Sequence, residues 1–183
     1  TVTIPLVIVG VLLSTLHQSS LGSLYLIVPD KLYGLWYSPL LPVFFFISAI
    51  AVGCAMTIFE SFMSFRAFGK HLETDLLRDV GRVILVVLVA YLALKVEDLL
   101  SRGSLSLLWQ MRTETYLYYL EIGIGVLLPI LLLAVPKLRK SYNVLFLSAL
   151  LVILGFVLNR LNVSITGMAA SSGVAYFPSW TEI

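Results

Sequence analysis

The chain has 183 residues, of which 60% are hydrophobic and 12% charged, with a formal net charge of +2. That composition lies far outside soluble globular proteins and marks an integral membrane protein. Its positive charges are scattered through short connections, which argues against nucleic acid as a partner, and the single cysteine, Cys54, excludes an internal disulfide or a self-contained iron–sulfur cluster.

The first apolar run, Thr3 to Val28, is long enough at ~1.5 Å per residue to cross a hydrocarbon layer of ~30 Å. It has no charged n-region and no small-residue cleavage site, so it reads as a span and not as a signal peptide. Inside it lies S-T-L-H-Q-S-S-L-G-S-L-Y, Ser14 to Tyr25. On a helix at about 100° per residue, Gly10, Ser14, His17, Gln18, Leu21 and Tyr25 share one arc of about 100°. Polar groups at that depth are costly alone, so the stripe must meet protein, water or a ligand. Ser19, Ser20 and Ser23 lie off it and suit helix packing. His17, near mid-membrane, is the leading functional candidate, because an imidazole both hydrogen-bonds and titrates near ~6.5.

A loop with Lys31, Tyr33, Trp36 and Tyr37 follows, its aromatics suited to the membrane interface. The second span is expected over Pro39 to Phe65, with Ser38 as cap and both Pro39 and Pro42 tolerated in the first turn. Ala49, Gly53, Thr57 and Ser61 recur every fourth residue and predict a face for close helix contact. Glu60 reads either as a buried polar contact or as a group reaching the interface. A charged connection, Arg66 to Arg78, leads to a third span, Asp79 to Leu100, with Arg82 paired to Asp79 and snorkelling outward. Lys95, Glu97 and Asp98 read as helix-end charges.

The fourth span, Thr115 to Val135, starts with interfacial Tyr116, Tyr118 and Tyr119 and places Glu121 inside the apolar run. Glu121 is either a functional acid or a structural polar contact. Gly123, Gly125 and Pro129 predict a loosened or kinked helix. After the basic turn Lys137 to Lys140, the fifth span runs from Tyr142 to Leu161 and ends in Asn159, Arg160 and Asn162. Ser179-Trp180-Thr181-Glu182 has the form of a capping box, from which another helix and a longer parent protein are expected. The fold class is thus all-α: a polytopic transmembrane helix bundle of about five spans, forming a single transmembrane domain over residues 1–183.

If the connections alternate across the bilayer, seven Lys and Arg fall on one side (Arg66, Lys70, Arg78, Arg82, Lys137, Arg139, Lys140) and five on the other (Lys31, Lys95, Arg102, Arg112, Arg160). The excess makes the first side cytoplasmic. Gln18, Tyr25, Glu97, Asp98, Glu121, Asn159, Arg160 and Asn162 then gather in the outer half, with His17 at their inner edge. Two histidines at different depths, His17 and His71, and one cysteine are too few ligands for a bis-histidine haem or a cluster.

The runs L-H-Q-S-S-L-G (Leu16 to Gly22), L-W-Y-S-P-L-L-P (Leu35 to Pro42), A-M-T-I-F-E-S (Ala55 to Ser61) and Y-F-P-S-W-T-E (Tyr176 to Glu182) resemble those of the NrfD/polysulfide-reductase-like membrane subunits, above all the HybB-type subunits of respiratory nickel–iron hydrogenases. The resemblance implies the C-terminal half of an eight- to ten-helix, haem-free subunit in a bacterial or archaeal cytoplasmic membrane. It implies an iron–sulfur electron-transfer partner, a catalytic partner such as a hydrogenase, and a membrane quinone, menaquinone or ubiquinone, as exchangeable substrate. By that resemblance His17 lies in the family's motif and is the first candidate for the quinone pocket; Glu121, the other candidate catalytic group, and Arg160, which joins His17, Gln18 and Tyr25 as a candidate quinone contact, rest on position alone. A secondary transporter or ion channel is the rival reading, in which the same residues would line a path for substrate or protons.

Overall fold

The computed structural model describes residues 2–27, 29–69, 74–110 and 112–172. Lys70 to Glu73 of the expected charged connection, Val28, and the Tyr176 to Glu182 run with its capping box lie outside the described residues. Among the described residues there are helices and loops and no strand. The helices are α1 (Thr3–Leu24), α2 (Leu41–Phe68), α3 (Thr74–Ser101), α4 (Thr113–Ala134), the single turn α5 (Pro136–Arg139) and α6 (Tyr142–Ala170). α1, α2, α4 and α6 are long and apolar enough to cross a membrane. α3, at 28 residues, is as long as α2 but carries charged residues toward both ends.

Local chemistry fixes the ends. α2 starts two residues later than expected, so its N-cap is Leu40, which makes no side-chain capping bond, and Ser38 is not the cap: its hydroxyl accepts the Leu40 N–H at 2.9 Å in the turn before the helix, while Pro42 occupies the first turn. At the other end Gly69 takes a left-handed conformation (φ 62°) and returns its N–H to Phe65 O at 3.0 Å.

Two buried clusters hold the bundle. The inner one joins α2, α3, α4 and α6 through Phe44, Ala55, Ile84, Leu88, Leu133 and Val152. The outer one is centred on the α1–α2 connection, where Leu35 and Trp36 are wholly buried against Phe45, Leu99, Tyr118 and Val163. That connection does not spread its aromatics along the interface as its composition suggests. It folds back into the bundle, held by Tyr33 N–H to Gly167 O at 3.1 Å.

Glycines mark two places where helices come into backbone contact. A Cβ on Gly125 would stand 2.6 Å from Gly155 Cα, and one on Gly22 would stand 2.8 Å from Pro42 Cα. The expected small-residue face of α2 does something else. Ala49, Gly53 and Thr57 line an open groove of about 490 Å³ shared with Gly10 and Ser14 of α1. α1 runs along α2 and reaches it most closely at Gly22, but no residue of its apolar window is fully buried.

Candidate functional site

Glu121 is the centre of the buried polar structure. It is 2% exposed, and a carboxylate so placed must be hydrogen-bonded. Three donors from two elements, the α1–α2 connection and α6, converge on it. Trp36 Nε1 gives 3.0 Å to Oε2, Asn162 Nδ2 gives 2.9 Å to Oε2, and Asn159 Nδ2 gives 2.7 Å to Oε1. Asn159 and Asn162 meet one carboxylate because residues three apart lie on one helix face.

Both helices carrying these groups depart from α geometry beside them. α4 widens into a π turn at Gly123–Leu127, just after Glu121, and α6 does so at Asn162–Thr166. Such bulges frequently accompany functional sites. The kink expected from Gly123, Gly125 and Pro129 thus takes the form of a π turn.

A second buried ion sits near the ends of α3 and the loop. Asp98 receives Arg102 Nη2 at 2.6 Å and Nε at 3.0 Å, and Ser38 Oγ at 2.7 Å. Arg102 also ties the α1–α2 connection through Gly34 O at 2.8 Å. Between the two acids lies Lys95, 2% exposed, with its ammonium over the rings of Phe44 (4.9 Å to centroid) and Tyr118 (5.7 Å). It feels the charges of Glu121 and Asp98 without an ion-pair contact to either among the described residues. Lys95 is also the charged member of the lining of an otherwise apolar cavity of about 380 Å³ walled by Leu92, Val96, Leu99, Tyr119 and Leu127.

Arg160 extends the network toward α1. It donates to Asn159 Oδ1 at 2.9 Å and Ser48 Oγ at 2.7 Å, and its guanidinium stacks 3.5 Å from the Phe45 ring centroid. Tyr25 packs on the same ring at 6.1 Å. The structure therefore links Glu121, Asn159, Arg160, Phe45 and Tyr25 in one chain of contacts. Gln18 is half-buried and His17 exposed on α1, two turns along from Tyr25 and outside that chain.

Trp36, Lys95 and Ser48 belong to this polar core although the residues alone did not single them out for it, as do Ser38, expected as a cap, and Asp98, expected as a helix-end charge in the outer polar half. One signal was present: Tyr91, Lys95, Asp98 and Arg102 are spaced four, three and four, which places them on one helix face. Among the described residues no three His, Cys, Asp or Glu gather as a metal site.

The family model described as "Polysulphide reductase, NrfD" matches residues 1–171. The chain belongs to the NrfD family. It is 37% identical to a protein of Nitratidesulfovibrio vulgaris over 99% of this chain and 48% of that one. It is 34% identical to the probable Ni/Fe-hydrogenase 2 b-type cytochrome subunit of Escherichia coli, over 97% of this chain and 46% of that one. The integral membrane subunit of the Nitratidesulfovibrio vulgaris menaquinone reductase is 27% identical, over 95% and 46%. The chain spans about half the length of these curated NrfD-like relatives. No solved structure matches it. Family membership and four apolar helices make it a multi-pass integral membrane protein.

Proposed function

We propose that this NrfD-family chain is the quinone-reacting part of a haem-free membrane subunit in a respiratory oxidoreductase of the hydrogenase type, seated in the cytoplasmic (inner) membrane. In this reading it forms about half of a longer subunit and anchors an iron–sulfur protein on the outer face, which in turn serves a catalytic subunit. The observation that carries the proposal is the buried Glu121 with its three donors, set in the half of the bundle where a docked electron donor would sit. The names of two relatives, a hydrogenase subunit and a menaquinone reductase subunit, support its respiratory and quinone-linked parts; the first is named a b-type cytochrome, so the haem-free part rests on the scarcity of haem ligands in this sequence.

Reducing a quinone to quinol takes two electrons and two protons. The electrons come from the partner's cluster, and the protons must come through this chain. His17 binds or protonates one quinone oxygen, with Gln18 and Tyr25 steadying the headgroup. The contacts from Tyr25 through Arg160 and Asn159 give Glu121 a connection to that pocket, and Arg160 modulates the charge of the acid. The groove between α1 and α2, bordered by Gly10 and Ser14 of the same stripe, offers apolar space for a quinone tail.

The test is quinone reduction per assembled complex, compared with dye reduction by the same preparation. His17→Ala is expected to remove quinone turnover and leave dye reduction intact, and His17→Gln to keep binding while losing proton delivery. If quinone turnover in His17→Ala stayed within about twofold of wild type, a barrier change of only ~0.4 kcal/mol, His17 would be ruled out. A b-type band in the reduced-minus-oxidised spectrum of the purified subunit would refute the haem-free assignment.

A further inference from the structure

At the end of the bundle away from Glu121, the first turns of α3 meet α5, the turn that joins α4 to α6. They enclose a cleft of about 210 Å³ bordered by Arg78, Arg82, Arg139 and Lys140, together with Asp75 and Asp79. We propose that this cleft binds the phosphate of an anionic phospholipid from the leaflet on that side, which the charge count makes the cytoplasmic one.

Four cations and two acids border the cleft. Each acid is already taken by a neighbour one turn along α3, Asp75 by Arg78 and Asp79 by Arg82. Arg139 and Lys140 therefore stand in surplus. Arg139 gives one hydrogen bond, Nη1 to Leu133 O at 3.2 Å, and Lys140 Nζ makes none among the described residues. Arg78 Nε is buried without an acceptor. The bond to Leu133 O holds the Arg139 guanidinium beside the cleft. Its stem runs across Gly81, where a Cβ would meet Arg139 Cδ at 3.8 Å and Leu145 Cδ2 at 2.9 Å.

The surroundings favour a lipid over free phosphate. The cleft lies where α4 ends and α6 begins, and the chain next to its lining residues Pro136, Arg139 and Lys140 carries exposed Val135, Leu138 and Tyr142. These apolar surfaces suit acyl chains entering from the bilayer, while the basic floor suits the headgroup. Basic pockets between helices on the cytoplasmic side recognise headgroups in this way.

The experiment uses the full-length subunit in its complex, purified in detergent, with native mass spectrometry reading the lipid retained from equal mixtures of phosphatidylglycerol and phosphatidylcholine. Phosphatidylglycerol should be retained in preference and should survive excess orthophosphate. Arg139→Gln with Lys140→Gln should lower that preference roughly thirtyfold, as expected for two interfacial cations. Lys137→Gln, on the same turn but outside the cleft, should cost clearly less than Lys140→Gln. Equal retention of the two lipids, displacement by orthophosphate, or an equal loss in Lys137→Gln would each overturn the proposal, the last by showing bulk attraction. Dye and quinone reduction by the double variant should match wild type, so this result is independent of His17.

Discussion

Gly125 on α4 and Gly155 on α6 touch backbone to backbone, and each lies four residues from a member of the buried polar pair, Gly125 after Glu121 and Gly155 before Asn159. One helical turn thus separates this backbone contact from the 2.7 Å hydrogen bond between Asn159 and Glu121. The two glycines set the spacing at which the amide can reach the carboxylate.

A methyl group at that crossing has nowhere to go. Gly155→Ala is expected to cost ~1–3 kcal/mol by overpacking, and Gly155→Leu more. Gly123→Ala is the control: its Cβ meets nothing within 4 Å, so the helix-forming preference of alanine should leave stability equal or raise it by up to ~1 kcal/mol. The thermal unfolding temperature of the purified subunit should fall for Gly155→Ala and hold or rise for Gly123→Ala. A matching shift would sink this account of the crossing.

Replacing the central acid by its amide keeps the shape and inverts part of the hydrogen bonding. In Glu121→Gln the amide nitrogen must face one of its present donors. Trp36 and Asn162 share one oxygen, so the nitrogen turns toward Asn159, whose own oxygen is held by Arg160. A buried donor is then left unpaired, at ~1–3 kcal/mol. Adding Asn159→Asp should restore stability, since the new carboxylate accepts from Gln and from Arg160 together. Assembled complex, measured by gel filtration, is expected to fall in the single variant and recover in the double.

Asp98 depends on Arg102. Arg102→Gln strands a carboxylate that is 3% exposed, and breaking a buried pair costs ~3–5 kcal/mol. Asp98→Asn in the same chain should recover most of that loss, because Ser38 can still donate to the amide oxygen. A double-mutant cycle with no coupling between the two positions would contradict the pairing.

The charge count predicts that the α5 turn faces the cytoplasm and the α3–α4 connection faces outside. In a Cys54→Ser background, a cysteine at Trp109, which is 87% exposed, should react with an impermeant maleimide added to intact cells. One at Lys140 should not. The reverse labelling would invert the orientation.

The all-α bundle was legible in the apolar run lengths, and Glu121 in the depth of an acid within such a run. The burial of Lys95 and Asp98 was harder to see, because three charges close to a helix end look alike until their faces are separated. Glu97 is indeed exposed, while its neighbours turn inward with Tyr91. Trp36 was misread for a different reason. An aromatic in a short loop suits the interface by composition, and only the return of that loop onto Gly167 puts its N–H beside a carboxylate 85 residues away. The groove along Ala49 and Gly53 shows the limit of the small-residue signal: it identifies where a helix can approach, and α1 does not close on it.

The π turn at Gly123–Leu127 acts as a phase correction. α4 buries Thr115, Tyr118 and Glu121 before it, and Gly125, Val126, Pro129 and Leu133 around and after it. A wider turn accommodates one additional residue, and one residue is about 100° of helix rotation. Deleting Ile124 would let the helix relax to regular winding and would turn one end against the other by that angle. Glu121 would then point away from Asn159 while the lower half stayed seated, or Leu133 would leave the core while Glu121 stayed.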